Sequence, residues 1–334
     1  MTILGEIRKD YFTNRLVINS EARAKRPAEF VAKGKSKCAF CPGRESLTPP
    51  AELVLVERKD AIAVMVDQVE PVKNWTVRAF ANKFPAVSPS KVPLPKPDFD
   101  AEPAYGFQYV IVATPNHKLS FHQLPVRQWH RALTAFQELT KRLLHREGVQ
   151  YVYGFINQGE QAGASLSHPH LQLLTLSATP PLIQEELKGM DGLASNTCKL
   201  CTVLEKELNG PRLVLKGEQF AAFTPWASTH AYEFWIAPIV HQTTILETTS
   251  KQLANVSEVI RSTLSALARV LHNPDFNLVF HISPRNHTEG KLHWHIEVYP
   301  HVTKWAGLER GARVYINQVT PEEAARKLSS RIRH

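Results

Sequence analysis

The stretch Gly163-Ala164-Ser165-Leu166-Ser167-His168-Pro169-His170-Leu171-Gln172, continued by Leu173-Leu174-Thr175-Leu176, decides how the rest of the chain is read. A Gly/Ser turn feeds an apolar run of strand length. Side chains alternate across a strand, so His168, His170 and Gln172 are expected on one face. Two imidazoles and a primary amide then share a small space. A purely structural sheet gains little from that, because each buried polar group needs a partner.

Working outward, 107–114 reads as a strand that runs on to His117. A helix is expected over 126–146, with Trp129, Leu133, Phe136, Leu139 and Leu143 on its buried stripe, followed by a strand at 151–156. Upstream, 51–57, 61–66 and 75–80 read as strands. The same order recurs downstream: strands at 220–223 and 232–238, then His241, a helix over 251–272 and a strand at 277–282. The strand at 292–299 follows, with His293, His295 and Glu297 on one side. A last helix opens at Thr320-Pro321-Glu322-Glu323, a capping box with proline in the first turn. Each copy is introduced by a Cys-x-x-Cys pair, Cys38/Cys41 and Cys198/Cys201. His168 lies 51 residues after His117, and His293 lies 52 after His241. The expected fold is therefore α+β, with two tandem halves, 1–180 and 181–334, each an antiparallel sheet with one long helix.

The chain has 334 residues, 43% hydrophobic and 21% charged, enough for one large domain or two ordinary ones. Its apolar runs are too short to span a bilayer. Residues 1–6 lack the basic-then-apolar pattern of a secretion signal, so a cytoplasmic protein is expected. A net charge of +9 and a pI near 9.4 fit either a nucleic-acid surface or a pocket for phosphorylated small molecules. The basic residues are dispersed, apart from 23–26 and 326–333, which favours the second and argues against a nucleic-acid partner. A zinc-knuckle nucleic-acid-binding protein would account for the cysteines but not for 168–172.

Without an export signal, paired cysteines point to metal rather than disulfides. Cys38, Cys41, His117 and His168 can make one tetrahedral Zn2+ site; Cys198, Cys201, His241 and His293 can make a second. Such four-ligand sites are closed to substrate and hold structure. A rival second set is Glu186, His281, His293 and His295. With His168 on a metal, His170 is left for chemistry. An imidazole with its ordinary pKa of about 6.5 is a nucleophile at neutral pH. Attack on phosphorus gives a phosphoramidate and splits one transfer into two. Gln172 can donate to a phosphoryl oxygen but is a poor acid or base, which favours transfer to another phosphate over hydrolysis.

These residues resemble the histidine-triad superfamily and, within it, the galactose-1-phosphate uridylyltransferase family. The matching segments are 23–27, Cys38-x-x-Cys41-Pro42-Gly43, 47–50, 82–86, Gly163-x-Ser165-x-x-His168-Pro169-His170-x-Gln172, His293-Trp294-His295 and, near the C-terminus, 306–309, 315–317 and 321–325. The resemblance covers nearly the whole chain. It implies exchange of UMP between UDP-glucose and galactose 1-phosphate, giving UDP-galactose and glucose 1-phosphate, through a uridylyl group on His170. It also implies that Asn157, Gly163 and Ser165 line the phosphates and that Asn82 meets the nucleoside. Arg23 and Arg26 resemble arginines that reach the neighbouring site of a homodimer, Glu309 resembles the carboxylate that binds hexose hydroxyls, and Asn317 is expected among the substrate-binding residues. Lys83 stands where some relatives have an acid and Leu308 where some have tyrosine, which leaves base and hexose open. An ADP-sugar phosphorylase or dinucleoside-polyphosphate phosphorylase is the alternative on the same fold. Glu297 replaces the glutamine in the second half, which argues against His295 as a second nucleophile.

Overall fold

The computed structural model describes residues 5–20, 38–58, 61–90, 93–94, 98–190, 198–285 and 292–333. The two helical stripes read from the sequence form α1 (Val126–Leu144) and α4 (Ser250–Leu271). Both bury their apolar faces, and they pack against each other over one side of a sheet. α4 starts at a capping box in which Thr249 and Gln252 satisfy each other's backbone N–H groups. Between them in sequence lie the shorter helices α2 (Pro181–Met190) and α3 (Lys199–Glu207); α5 (Gly307–Ala312) and α6 (Pro321–Ser329) close the chain.

Three strands, β1 (Glu6–Lys9), β2 (Leu16–Asn19) and β6 (Ala101–Pro103), make a small separate sheet. The rest belong to one antiparallel sheet of 11 strands. Its first arm comprises β3 (Ala51–Arg58), β4 (Ala61–Met65), β5 (Trp75–Ala81), β7 (Gln108–Val112), β8 (Tyr151–Gln158) and β9 (His170–Leu176). The second comprises β10 (Leu213–Lys216), β11 (Phe220–Phe223), β12 (Phe234–Pro238), β13 (Phe276–His281) and β14 (His295–Pro300). The order is β10-β11-β12-β14-β13-β8-β9-β7-β5-β3-β4. Read outward from β8/β13, β9-β7-β5-β3 is matched by β14-β12-β11-β10.

The sheets expected for separate halves are thus fused. β8 and β13 pair antiparallel from Phe276↔Gln158 to Phe280↔Gly154. One hydrophobic cluster runs beneath both arms, from Leu53 to Leu328. At the seam, Phe136 of α1 stacks on Phe280 of β13 at 4.3 Å between ring centroids. Only glycine fits under that stack: a Cβ at Gly154 would stand 2.3 Å from Phe136 Cε2.

A second difference concerns the opening motif. β9 begins at His170, so His168 lies before the strand and does not share the face of His170 and Gln172. Pro169 has no N–H to donate to a ladder, which delays the start of pairing. β14 likewise begins at His295, because the amides of His293 and Trp294 are used by Met190 Sδ and the Gln242 carbonyl.

Candidate active site

Displacing His168 from the strand places it over the first cysteine pair. Its Nδ1 stands 3.8 Å from both Cys38 Sγ and Cys41 Sγ, and His117 Nδ1 is 3.6 Å from Cys41 Sγ. In the other arm His293 Nδ1 is 3.9 Å from Cys198 Sγ and 3.4 Å from Cys201 Sγ, with His241 Nδ1 at 3.5 Å from Cys201 Sγ. Zn–S and Zn–N bonds in a tetrahedron require S···N separations of about 3.6 Å. The outer nitrogens are used as a metal-bound histidine needs. His168 Nε2 donates to Thr114 O at 2.7 Å and His293 Nε2 to Pro238 O at 2.8 Å, while Ser167 Oγ lies 3.2 Å from His117 Nε2. Burial lowers the His293 pKa to about 4, so it offers a lone pair. Burial and the neighbouring Cys198 push the Cys201 thiol up to about 12, a cost that a cation would remove. Both Cys2His2 sets therefore fit a metal ion.

His170 lies at the foot of β9, edge-on to Phe40 of the first knuckle. Its Nδ1 donates to His168 O at 2.8 Å, which puts the lone pair on Nε2. Two residues on, the Gln172 amide is oriented by a relay. Ala86 N donates to Gln108 Oε1 at 2.7 Å, and Gln108 Nε2 donates to Gln172 Oε1 at 3.1 Å. Gln172 therefore keeps its NH2 for the cavity it shares with His170. That cavity holds about 300 Å³ and is also lined by Phe40, Phe80, Asn82, Lys83 and Ser165. The β8/β9 register sets Asn157 opposite His170, beside the 159–163 turn in which Gly159 and Gly163 have φ of +89° and +79°. Sequence reasoning missed Gln108, because only the β7/β9 pairing brings it to Gln172.

Other expected residues are placed elsewhere. Glu309 accepts from the amides of Ala306 and Ile316, and Asn317 Nδ2 donates to the carbonyls of Ser228 and His230. Both organise the C-terminal segment, and neither lines the cavity at His170. Arg23 and Arg26 lie outside the described residues.

The rival second metal set is divided. His293 goes to the cysteines, while Glu186, His281 and His295 group with Glu297. His281 Nδ1 stands 2.9 Å from Glu186 Oε1 and 3.9 Å from Glu297 Oε1, and His295 Nε2 stands 3.2 Å from Glu297 Oε1. Burial opposes protonation of His281, but Glu297 and Glu186 outweigh it and raise its pKa to about 9. Glu186, His281 and Glu297 of this cluster line a larger cavity of about 1110 Å³. Size alone would make that cavity the site. The smaller one holds an imidazole with an oriented lone pair and an amide donor, and that chemistry makes it the candidate. Among the described residues, no helix is long and apolar enough to cross a membrane.

Comparison with known proteins adds the following. A family model described as galactose-1-phosphate uridyl transferase, N-terminal domain, matches residues 6–180, and one described as a domain of unknown function matches 108–334. An ADP-glucose phosphorylase of Arabidopsis thaliana is 30% identical, over 96% of this chain and 91% of that protein. A galactose-1-phosphate uridylyltransferase of Thermotoga maritima is 28% identical, over 97% of each. A solved uridylyltransferase structure superposes with a TM-score of 0.82 at 28% identity, covering 97% of this chain and 98% of that one.

Proposed function

We propose that this chain, which belongs to the galactose-1-phosphate uridyl transferase family, moves UMP between UDP-glucose and galactose 1-phosphate through a uridylyl group on His170. The observation that carries the reading is the pair of orientations at the cavity: the Nε2 lone pair of His170 and the NH2 of Gln172. His170 Nε2 attacks the α-phosphorus, a P–N bond forms, and the P–O bond to glucose 1-phosphate breaks. The sugar phosphate leaves as an anion and takes no proton, so no general acid is required. Galactose 1-phosphate then attacks the same phosphorus through a phosphate oxygen, and the P–N bond breaks. Gln172 Nε2 donates to a nonbridging oxygen as charge builds there, and Asn157, Gly163 and Ser165 hold the phosphates. Asn82 meets the nucleoside.

In this reading Cys38, Cys41, His117 and His168 hold one Zn2+, and Cys198, Cys201, His241 and His293 a second. Bound with four protein ligands, each ion cross-links its knuckle to the motif beside it and takes no part in the transfer. The division 1–180 and 181–334 follows the two knuckles, with the nucleophile in the first unit and the substrate site completed by the second. Glu309 belongs to the hexose side, and Asn317 is among the substrate-binding residues. Arg23 and Arg26 reach across a homodimer, and the protein works in the cytoplasm.

The 30% identity to an ADP-glucose phosphorylase favours a second reading, in which ADP-glucose donates AMP to His170 and inorganic phosphate or a phosphorylated acceptor collects it. Intact-protein mass after incubation with each sugar nucleotide, without acceptor, separates the two. A uridylyl adduct on wild type that is absent from His170→Ala, and is discharged by galactose 1-phosphate, is the expected result. An adenylyl adduct alone moves the assignment to the second reading. No adduct from either, with zinc-loaded protein, removes His170 as nucleophile.

A further inference from the structure

The phosphate side of the His170 site is held from across the seam. Asn277 of β13 is paired with Asn157 of β8. Its Nδ2 lies 2.9 Å from Asn157 Oδ1 and 3.0 Å from Ala162 O. A backbone carbonyl only accepts, so the Asn277 atom facing it is the NH2. The Asn157 atom facing that NH2 is then its oxygen, and the Asn157 NH2 turns to the other side, toward Gly163. A Cβ built at Gly163 would stand 3.9 Å from that nitrogen.

Asn277 is fixed in turn. His301 Nε2 stands 2.5 Å from Asn277 Oδ1 and donates to it, and burial lowers the His301 pKa, which suits a neutral ring. The His301 amide donates to Asp275 O at 2.8 Å, and the Asp275 carboxylate accepts from Gln161 N at 2.7 Å. Gly159 passes so close to Asp275 that a Cβ would overlap it at 1.9 Å. Two residues of the second arm, Asn277 and Asp275, thus grip the 157–163 segment of the first, and His301 braces both.

We infer that Asn277, backed by His301, is a positioning residue of the transfer site: it turns the Asn157 amide so that NH2 rather than oxygen meets a phosphate of the sugar nucleotide. This rests on the reading of Asn157 as a phosphate contact. Without the Asn277 donor, Asn157 can rotate its oxygen toward an anion, which repels it. The second arm, lacking an oriented lone pair of its own, then has a defined part in the reaction.

Binding tests this apart from transfer. UDP-glucose and ADP-glucose are titrated calorimetrically into zinc-loaded full-length chain carrying His170→Ala. Uridine and adenosine, followed by ligand-observed NMR, report the nucleoside cavity alone. Adding Asn277→Asp, which keeps the acceptor for His301 but loses the donor, is expected to weaken sugar-nucleotide binding by about 10- to 100-fold. Nucleoside binding stays within about twofold. In an Asn157→Ala background the same substitution costs less than about threefold, because its target is gone. Protonating the introduced carboxyl restores a donor, so the variant regains affinity relative to its parent as pH falls. Asn277→Ala, which reproduces the loss without the recovery, serves if the first variant does not fold.

Equal losses for nucleoside and sugar nucleotide, or a full loss in the Asn157→Ala background, overturn the inference. An Asn277 dependence in a protein whose wild type forms no nucleotidyl adduct removes the transfer reading and keeps this one. A chain that binds neither sugar nucleotide removes both.

Discussion

His170 and His295 occupy corresponding places in the two arms and are held the same way, each Nδ1 donating to the carbonyl two residues back at 2.8 and 2.9 Å. They differ in what meets the other nitrogen and the ring face. Gln172 turns an NH2 into a cavity, whereas Glu297 sets a carboxylate 3.2 Å from His295 Nε2. Val110, small beside Gln172, corresponds to Trp235, which stacks on His295 at 4.9 Å. Asn157 corresponds to His281, an imidazole clamped by two carboxylates. Both arms keep the metal-binding frame, but three substitutions convert an open, donor-lined face into a filled, ion-paired one. A frame can be retained for stability while its chemistry is carried by the few positions on one face of two strands.

The contrast is most directly broken at the histidines. His170→Ala should lower nucleotidyl transfer by at least about 10⁴-fold in single-turnover assays, as loss of a covalent nucleophile does. His295→Ala should cost less than about threefold if its chemistry is silent; comparable losses would dissolve the distinction between the arms. Next in size is Gln172→Glu, which installs the second arm's carboxylate in the first. Replacing a donor with an anion beside phosphate should slow adduct formation by about 10²- to 10³-fold, with thermal unfolding unchanged because Gln108 keeps an oxygen to donate to.

The ion-paired arm has its own signature. His281 is raised to about 9, above the ordinary imidazole value of about 6.5. Its contribution to stability is therefore fully present below about pH 6.5 and is lost as pH rises through 9, a change of about 3 kcal/mol at most. Denaturant unfolding at pH 6, 8 and 10 should show the loss, and Glu297→Gln should flatten it; a flat wild-type profile would show that folding does not raise the His281 pKa. The smallest effect is at the seam between the arms. Gly154→Ala must displace Phe136 and should cost about 1–3 kcal/mol without changing metal content.

The sequence made the linear features legible. Both knuckles and their histidines, the His-Pro-His-x-Gln motif and the two long helices have signals within a few residues or at a regular period, and the structure brings each metal set together. What escaped is what register decides. Gln108 and Asn277 are ordinary polar residues in apolar strands, and they acquire roles only through the β7/β9 and β8/β13 pairings. α2 carries Glu186 to His281, but it opens at Pro181 directly after Pro180, and the sequence reading assigned no element there. Placing His168 on the strand failed because alternation was extended through Pro169, which has no N–H to donate to the ladder.

The pairing of β8 with β13 also sets a timetable for synthesis. β8 gains one neighbour from β9, but its other edge stays bare until the chain has lengthened by the 123 residues from Gln158 to His281. At about 5–20 residues per second, a ribosome leaves that edge open for roughly 6 to 25 s. An unpaired apolar edge invites the wrong strand. A nascent chain stalled or truncated between the two knuckles would therefore carry a metal-ready first arm with an aggregation-prone flank, and should depend on a chaperone in a way that the completed protein does not.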